Sequence, residues 1–210
     1  MNSAQIHLTY GLIQLSFRHL MPQIILASAS PRRQELLNQI NVRHLVQIVD
    51  IDETSLLNES PTAYVQRLAA EKATACVQRF NPQFPVLAAD TIVVLGNQIM
   101  GKPQDKNEAL TMLRQLSGNT HQVFTAIALF GHSKHYALSI TEVTFKTLSE
   151  AEILAYWHSG EPLDKAGSYA IQGVGSLFIE RINGSFSGVM GLPLFETAQL
   201  LAREGIELLA

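Results

Sequence analysis

The alternation of hydrophobic and polar residues along the chain changes period several times, and each change marks a predicted element. The apolar run at residues 24–27 is typical of a buried strand, and residues 36–40 then follow helical spacing. Ser30 and Pro31 lie at the junction, where serine suits a helix cap and proline the first helical position. A strand followed directly by a helix is therefore predicted here.

The remaining elements follow from the same rules. The predicted helices cover residues 61–80, 106–116, 150–158 and 193–203. The predicted strands cover residues 43–48, 85–95, 98–100, 121–130, 136–147, 176–182 and 185–190. Asn183 and Gly184 predict a tight hairpin turn between the last two strands, whereas His132 and His135 are expected to be solvated near the turn of another hairpin. No repeat or linker divides residues 21–210, so we expect a single α/β domain there.

The amino-acid composition excludes several classes of protein. Hydrophobic residues make up 47% of the chain and charged residues 16%, which is typical of a folded globular protein. The formal net charge of −3 argues against bulk electrostatic binding to nucleic acid. Cys76 is the single cysteine, which excludes an internal disulfide framework and fits a reducing compartment such as the cytoplasm. No apolar run reaches the roughly 18 residues of a membrane-spanning helix, so no membrane partner is expected.

Residues 1–20 precede the first predicted strand as a separate segment. Polar residues interrupt its apolar run, and it lacks the charged start and small-residue cleavage site of a secretory signal. We interpret this segment as an N-terminal extension of unknown role, either an accessory helix or the product of a misassigned start codon.

The start of the first predicted helix has the features of an anion site. Unpaired N–H groups at a helix N-terminus attract negative charge, and Ser28 adds a hydroxyl nearby. Arg32 and Arg33 follow in the first turn, and each guanidinium can bind two phosphate oxygens at once. The alternative is a capped helix with two surface arginines, which the local sequence alone does not exclude.

Two charged residues lie where the pattern predicts apolar ones. Asp90 interrupts the apolar run at residues 86–95, and a carboxylate in a buried strand is costly unless it is paired, metal-bound or hydrogen-bonded. Lys72 shares the apolar face of its predicted helix with Leu68 and Cys76. Asp90 is therefore a functional acid or a structural one bonded to a backbone loop. Lys72 either points into a site or extends over the core toward water.

Two polar segments are candidates for further site residues. Glu53 ends an acidic run after a predicted strand, where carboxylate oxygens either hold a divalent cation or are solvated. The loop at residues 161–173 contains Lys165 and Gln172, and glutamine can read the edge of a base because it both donates and accepts. Ala170 would be strained in this loop if its φ were positive.

Residues 96–102 match the glycine and lysine spacing of a P-loop, but Pro103 occupies the position of the serine or threonine. Proline has neither a hydroxyl for magnesium nor an N–H group for phosphate. A P-loop kinase or phosphatase is therefore rejected.

Several of these motifs, in this order, resemble those of the Maf family of nucleoside-triphosphate pyrophosphatases. The similarity runs from about residue 24 to residue 201. The motifs that carry it are Leu26-Ala-Ser-Ala-Ser-Pro-Arg-Arg-Gln-Glu-Leu-Leu, Leu68-Ala-Ala-Glu-Lys-Ala, Ala89-Asp-Thr, Gly101-Lys-Pro, residues 161–173 and Gly191-Leu-Pro. The resemblance implies a Maf/ITPase-like α/β fold with a mixed twisted sheet, flanking helices and a long cleft between two lobes. It also implies hydrolysis of a nucleoside triphosphate between the α- and β-phosphates, which gives a monophosphate and pyrophosphate.

The resemblance further implies roles for individual residues. Asp90 matches the catalytic position, and Glu53 and Asp90 would hold a divalent metal cation, Mg²⁺ or Mn²⁺. The residues that match substrate-binding positions are Ser28, Arg32, Arg33, Lys72, Thr91, Lys102, Lys165 and Gln172. Of these, Arg32, Thr91 and Gln172 match positions associated with the branch that acts on dTTP and UTP. Homodimers are usual in the family, so a homodimer is expected.

A second hypothesis is a nucleotide-binding regulator of cell division without catalysis, because the Maf name is tied to septum inhibition. In that case the same cations would bind the nucleotide, and Asp90 would be structural. Analysis of the products formed from dTTP separates the two hypotheses.

Overall fold

The computed structural model describes residues 21–209, so the predicted extension at residues 1–20 lies outside the described residues. The strands are β1 Ile24–Leu26, β2 His44–Val46, β3 Val86–Leu95, β4 Gln98–Met100, β5 Thr120–Phe130, β6 Lys134–Phe145 and β7 Ile179–Asn183. The α-helices are α1 Pro31–Gln39, α2 Pro61–Phe80, α3 Lys106–Leu116, α4 Glu150–His158, α5 Phe186–Met190 and α6 Leu194–Arg203. None of these helices is long and apolar enough to span a membrane.

Apart from α5, the helices begin where the sequence predicts, and most of the six carry a side-chain cap. Ser60, Asp105 and Ser149 each accept a hydrogen bond from the backbone N–H three residues further on. Glu152 completes a capping box at the start of α4. Ser30 occupies the cap position of α1, but its side chain makes no capping bond. The first N–H groups of α1 therefore do not use this hydroxyl as an acceptor.

The strands form one mixed sheet, as the predicted fold class requires. Its order is β2-β1-β3-β5-β6-β7, and β4 also pairs with β3. β1 is parallel to β2 and to β3, whereas the other pairs are antiparallel. Helices pack on both faces, which explains why β3 reads as an almost continuous apolar run.

One edge of β3 is only partly paired among the described residues. β5 pairs with β3 from Val86 to Val94 along the other edge. On this edge, β1 pairs with residues 86–87 and β4 with residues 93–95. Residues 88–92 lie between these two partners, and we call this stretch the β3 gap. The gap lies between the segment of β3 that pairs with β1 and the segment that pairs with β4, and it contains Asp90 and Thr91.

The core consists of three clusters of buried side chains. Alternate residues of β3, including Ala88 and Ile92, pack against α2. The residues between them, including Leu87 and Ala89, pack against α1 and α6. A third cluster joins the far end of β3 to α3 and α4. Because side chains of a strand alternate between faces, Asp90 points toward α2 and Thr91 toward α1.

The predicted hairpin around Gly184 is wrong. β7 is present and pairs with β6, but residues 186–190 form the helix α5 instead of a strand. Ser185 caps this helix by accepting a hydrogen bond from the N–H of Gly188, and Gly191 ends it in the left-handed region with φ 115°. The apolar residues at 186, 189 and 190 have helical spacing, which overrides the turn signal of Asn183-Gly184.

The turn between β5 and β6 is tied to the end of α6. The carboxylate of Glu204 accepts hydrogen bonds from the backbone N–H groups of His132 and Ser133, at 2.8 and 3.1 Å. It also contacts His132 Nδ1 and His135 Nε2, each at 2.9 Å. The His132 side chain is exposed, as expected, but that of His135 is only 16% exposed. The expectation that His135 is solvated is therefore wrong, because a buried carboxylate binds its ring.

Candidate active site in the gap of the sheet

Arg33 is held in place by three different parts of the chain. Its Nε donates to the carbonyl of Gly191 at 2.8 Å, and its Nη1 donates to Ser28 Oγ at 3.0 Å. Its Nη2 donates to Thr91 Oγ1 at 3.3 Å. These bonds join the start of α1 to the β3 gap and to the turn between α5 and α6. Two surface arginines on a capped helix, the alternative considered above, do not describe this arrangement.

Arg32 lies beside Arg33 and faces a different set of charges. Its Nε donates to the carbonyl of Met190 at 3.4 Å. Burial lowers the pKa of Arg32, and the carboxylates of Glu35 and Asp164 act in the opposite direction. Burial likewise lowers the pKa of Arg33, against the charge of Asp90. Both side chains therefore carry positive charge in partly dehydrated surroundings, which strengthens their attraction for an anion.

Lys72 bridges the two predicted metal ligands. Its Nζ lies 2.7 Å from Asp90 Oδ1 and 2.6 Å from Glu53 Oε1. The side chains of Lys72 and Asp90 are 14% and 10% exposed, whereas that of Glu53 is 53% exposed. The hydroxyl of Tyr64 donates to the Glu53 carbonyl at 2.8 Å and so holds this loop against α2. Lys72 therefore directs its ammonium at these two carboxylates, and its assignment to a substrate site stays a prediction.

Burial raises the pKa of Asp90 above that of an ordinary aspartate. The charge and hydrogen bond of Lys72 and the charge of Arg33 lower the pKa of Asp90, while the charge of Glu53 raises it. Burial is the largest of these effects. A carboxylate with a raised pKa is a stronger base than one in water, which suits proton abstraction.

Lys102 and Lys165 complete the group of cations. Burial lowers the pKa of Lys165, and the positive charges of Arg32 and Lys102 lower it further. Lys165 Nζ donates to the carbonyl of Leu163 at 3.0 Å. The charges of Arg32 and Lys102 thus both act on Lys165, although the three residues belong to separate segments. Gln172 is exposed on the same loop as Lys165.

The loop that carries Lys165 and Gln172 is anchored by Glu161. Its carboxylate accepts hydrogen bonds from the Tyr156 hydroxyl and from the N–H groups of Val174 and Gly175, at 2.7, 2.8 and 2.9 Å. Positive φ values occur in this loop at Asp164, Gly167 and Ser168, at 59°, 67° and 63°, and Ala170 has none. The strain considered for Ala170 is therefore absent, and Ser168 adopts the left-handed conformation instead.

The structure joins most of the predicted site residues into two connected groups. Ser28, Arg33 and Thr91 are linked by hydrogen bonds, and Glu53, Lys72 and Asp90 by ion pairs. The remaining predicted residues are related by charge effects on Lys165 or by the loop that they share with it. They are Arg32, Lys102, Lys165 and Gln172.

Sequence reasoning did not identify several residues that organise this site. Thr125, Gly191 and Glu161 bond to the predicted residues or to the loop that carries them. No local motif marks Thr125, because its contact with Thr91 depends on the register between β3 and β5. Gly191 belongs to the motif Gly191-Leu-Pro, which the sequence shows. The sequence did not predict, however, that the carbonyl of Gly191 would accept a hydrogen bond from Arg33.

The carboxylates can accept a divalent cation, although they do not form a complete cage. Within residues 21–209, no group of three or more His, Cys, Asp or Glu side chains could hold a metal ion. Mg²⁺ is usually bound by one or two carboxylates together with substrate phosphates and water. Glu53 and Asp90 already share one cation, the ammonium of Lys72. The donor set therefore fits a cation that arrives with a phosphate ligand.

The chain is similar to a known protein family, to named proteins of that kind and to a solved structure. The Maf-like protein family matches residues 23–204. A dTTP/UTP pyrophosphatase from Myxococcus xanthus is 52% identical over 185 residues, which cover 88% of this chain and 94% of that protein. A dTTP/UTP pyrophosphatase from Escherichia coli is 52% identical over 184 residues, covering 87% of this chain and 93% of that protein. The solved structure of a HAM1 protein from Coxiella burnetii is 19% identical, with a TM-score of 0.43 over 60% of this chain and 73% of that chain.

Proposed function

This chain belongs to the Maf family, and on that premise we propose that it hydrolyses dTTP and UTP to the monophosphate and pyrophosphate. The observation that carries the proposal is the position of Asp90. Its carboxylate lies in the β3 gap, is mostly buried, and pairs with Lys72 among arginines and lysines from distant segments. The regulator without catalysis gains no support from the relatives, which are named as enzymes.

The cations bind the triphosphate and stabilise the leaving group. Arg32 and Lys102 act electrostatically on Lys165 from separate segments, and Arg33 follows Arg32 in the first turn of α1. When the bond between the α- and β-phosphates breaks, negative charge develops on the departing pyrophosphate. Positive groups that are already in place stabilise this charge at little reorganisation cost.

Asp90 takes the proton of the attacking water. The water oxygen forms a bond to the α-phosphorus, and the bond from that phosphorus to the bridging oxygen breaks. The electron pair leaves with the pyrophosphate, and the proton passes to the Asp90 carboxylate. The raised pKa of Asp90 favours this transfer.

Glu53 and Asp90 would hold a divalent cation, Mg²⁺ or Mn²⁺, once the nucleotide is bound. When bound, this cation neutralises phosphate charge and polarises the α-phosphorus. Lys72 keeps the two carboxylates close together before the metal and substrate arrive, since its ammonium contacts both.

The nucleoside is recognised by the loop that Glu161 anchors. Gln172 reads the pyrimidine edge, because its amide can both donate and accept. We further propose that the protein acts as a homodimer in the cytoplasm. Sedimentation of the purified protein tests the homodimer.

Product analysis tests the proposed function. The purified protein is incubated with dTTP or UTP and Mg²⁺, and the products are separated by ³¹P NMR. We expect monophosphate and pyrophosphate in equal amounts, with turnover abolished by a chelator and restored by Mg²⁺ or Mn²⁺. Release of orthophosphate, or turnover that persists in the chelator, would contradict the proposal.

A further inference from the structure

Thr125 lies directly behind the proposed site and touches neither of its carboxylates. It is on β5, opposite Thr91 of β3 in the sheet register, and its side chain is completely buried. Directly opposed residues of an antiparallel pair point to the same face. Thr125 Oγ1 and Thr91 Oγ1 are 2.9 Å apart, which is hydrogen-bond distance.

The direction of this hydrogen bond follows from a second contact. Thr125 Oγ1 lies 2.7 Å from the carbonyl oxygen of Gly188, and a carbonyl can only accept. The single hydroxyl proton of Thr125 is therefore used on Gly188. The proton between the two threonines must then come from Thr91, so Thr91 donates to Thr125.

The direction of the hydrogen bond between the two threonines determines how Thr91 interacts with Arg33. With its proton given to Thr125, Thr91 Oγ1 presents only lone pairs to the site, and Arg33 Nη2 donates to one of them. A Thr91 hydroxyl pointing its proton outward would face the guanidinium with a donor. Thr125 thus makes Thr91 an acceptor and so favours one orientation of Arg33.

These contacts form a closed ring. The carbonyl of Gly188 accepts from Thr125 and also from the N–H of Gly191, at 3.0 Å. The carbonyl of Gly191 in turn accepts from Arg33 Nε. Arg33 is therefore held at one end by a glycine whose position depends on Thr125, and at the other by a hydroxyl whose direction depends on Thr125.

We propose that Thr125 is a positioning residue for hydrolysis: its buried hydroxyl orients Arg33 through Thr91 and through Gly188 and Gly191. The inference rests on the proposed function, since it assigns Arg33 to the triphosphate. Thr125 acts through these partners, because its own side chain is completely buried.

The test compares Thr125→Val with a matched variant on the neighbouring strand. Thr141 of β6 is also buried, and its hydroxyl bonds to the backbone of Ser185 at the start of the same helix α5. It has no contact with Thr91 or Arg33 among the hydrogen bonds of the described residues. Thr141→Val therefore removes an equivalent buried hydroxyl without breaking the ring.

We expect Thr125→Val to lower kcat/KM for dTTP by about tenfold to a hundredfold, since small misplacements of a catalytic group have effects of this size. Thr141→Val keeps the wild-type kcat and KM, and Thr125→Ser restores most of the activity because it keeps the hydroxyl. In an Arg33→Gln background, Thr125→Val causes little additional loss, which a purely structural role would not produce. If Thr125→Val does not fold, Thr125→Ala makes the same measurement without placing a methyl group against the Gly188 carbonyl.

The outcomes distinguish a failure of the proposed function from a failure of the role assigned to Thr125. If the wild-type protein releases no pyrophosphate, the proposed function is overturned. If the wild type is active and Thr125→Val matches Thr141→Val in kcat and KM, only the role of Thr125 is overturned. Equal losses from Thr125→Val with and without Arg33 would also overturn it, because the effect would not pass through Arg33.

Discussion

Asp90 is mostly buried and is paired with Lys72, which is the environment that our proposal requires of a reactive carboxylate. Its carboxylate bonds to the side chain of Lys72, and not to a backbone loop as a structural aspartate would. Burying such a pair costs free energy through dehydration. Asp90 also lies in the β3 gap, between the pairings of β3 with β1 and with β4. The sequence placed both charged residues at apolar positions, but it left open whether either one had a partner.

The acid limb of the pH profile should report the pairing of Asp90 and Lys72. Activity falls at low pH as Asp90 becomes protonated, and Lys72 lowers the pKa of Asp90. Lys72→Met should therefore move the acid limb of kcat/KM to higher pH. It should also reduce kcat about a hundredfold or more, as the loss of one stabilising group does in other enzymes.

This prediction is checked by measuring pyrophosphate release from dTTP between pH 4 and pH 9. Lys106→Met, on the exposed surface of α3, is the control and should leave the profile unchanged. An acid limb at the same pH in Lys72→Met and in the wild type would show that Lys72 does not influence Asp90.

Among the helices and strands, those with clear caps and a long apolar pattern could be predicted from the sequence. The helix α2 was predicted with its observed bounds, because Ser60 and Pro61 mark its start and the apolar stripe continues to its end. α5 was mistaken for a strand, since five residues are too few to separate helical from strand spacing. The turn signal at Gly184 was real, but it leads into a helix.

The local sequence could not predict the contact between Glu204 and the β5–β6 turn, because Glu204 lies 69–72 residues away from its partners along the chain. Burial alone would raise the pKa of Glu204. The N–H groups of His132 and Ser133 and the two histidine rings outweigh burial and lower this pKa to about 2. The charged carboxylate is therefore the form that holds the end of α6 to the turn.

Glu204→Gln should lower the free energy of unfolding by about 1–3 kcal/mol at pH 7, because it leaves buried donors without their charged acceptor. A depressed carboxylate pKa gives stability that is complete above the usual pKa of 4.5 and is lost as the pH falls toward 2. The difference between wild type and variant should therefore shrink below pH 4.5.

Urea unfolding at pH 7 and at pH 3.5 measures this effect, with the exposed Glu207→Gln as the control. A destabilisation of Glu204→Gln that is equally large at both pH values would mean that the charge of Glu204 is not responsible. Activity of the folded variant with dTTP should remain at the wild-type level, because the contact lies outside the proposed site.

At the scale of the whole molecule, the proposed site lies where two strands share one edge of β3 and leave residues 88–92 between them. Alternation along a strand sends Asp90 to one face and Thr91 to the other. Arg33 links the two residues, since it donates to Thr91 and its charge lowers the pKa of Asp90. The resemblance predicted a mixed sheet and a cleft, and the mixed sheet with flanking helices is confirmed. The gap itself could not be read from the sequence, since it depends on which strands pair and in what register.

The most direct test of the account is the turnover of Asp90→Asn with dTTP and Mg²⁺, measured beside nucleotide binding. We predict that kcat falls by about a thousandfold or more, since general base catalysis contributes effects of 10²–10⁴ and the metal loses a ligand as well. Affinity for a non-hydrolysable dTTP analogue should stay within a few-fold of wild type, and Glu180→Gln on exposed β7 should keep full activity. Wild-type turnover in a folded Asp90→Asn protein would contradict the claim that this carboxylate performs the chemistry.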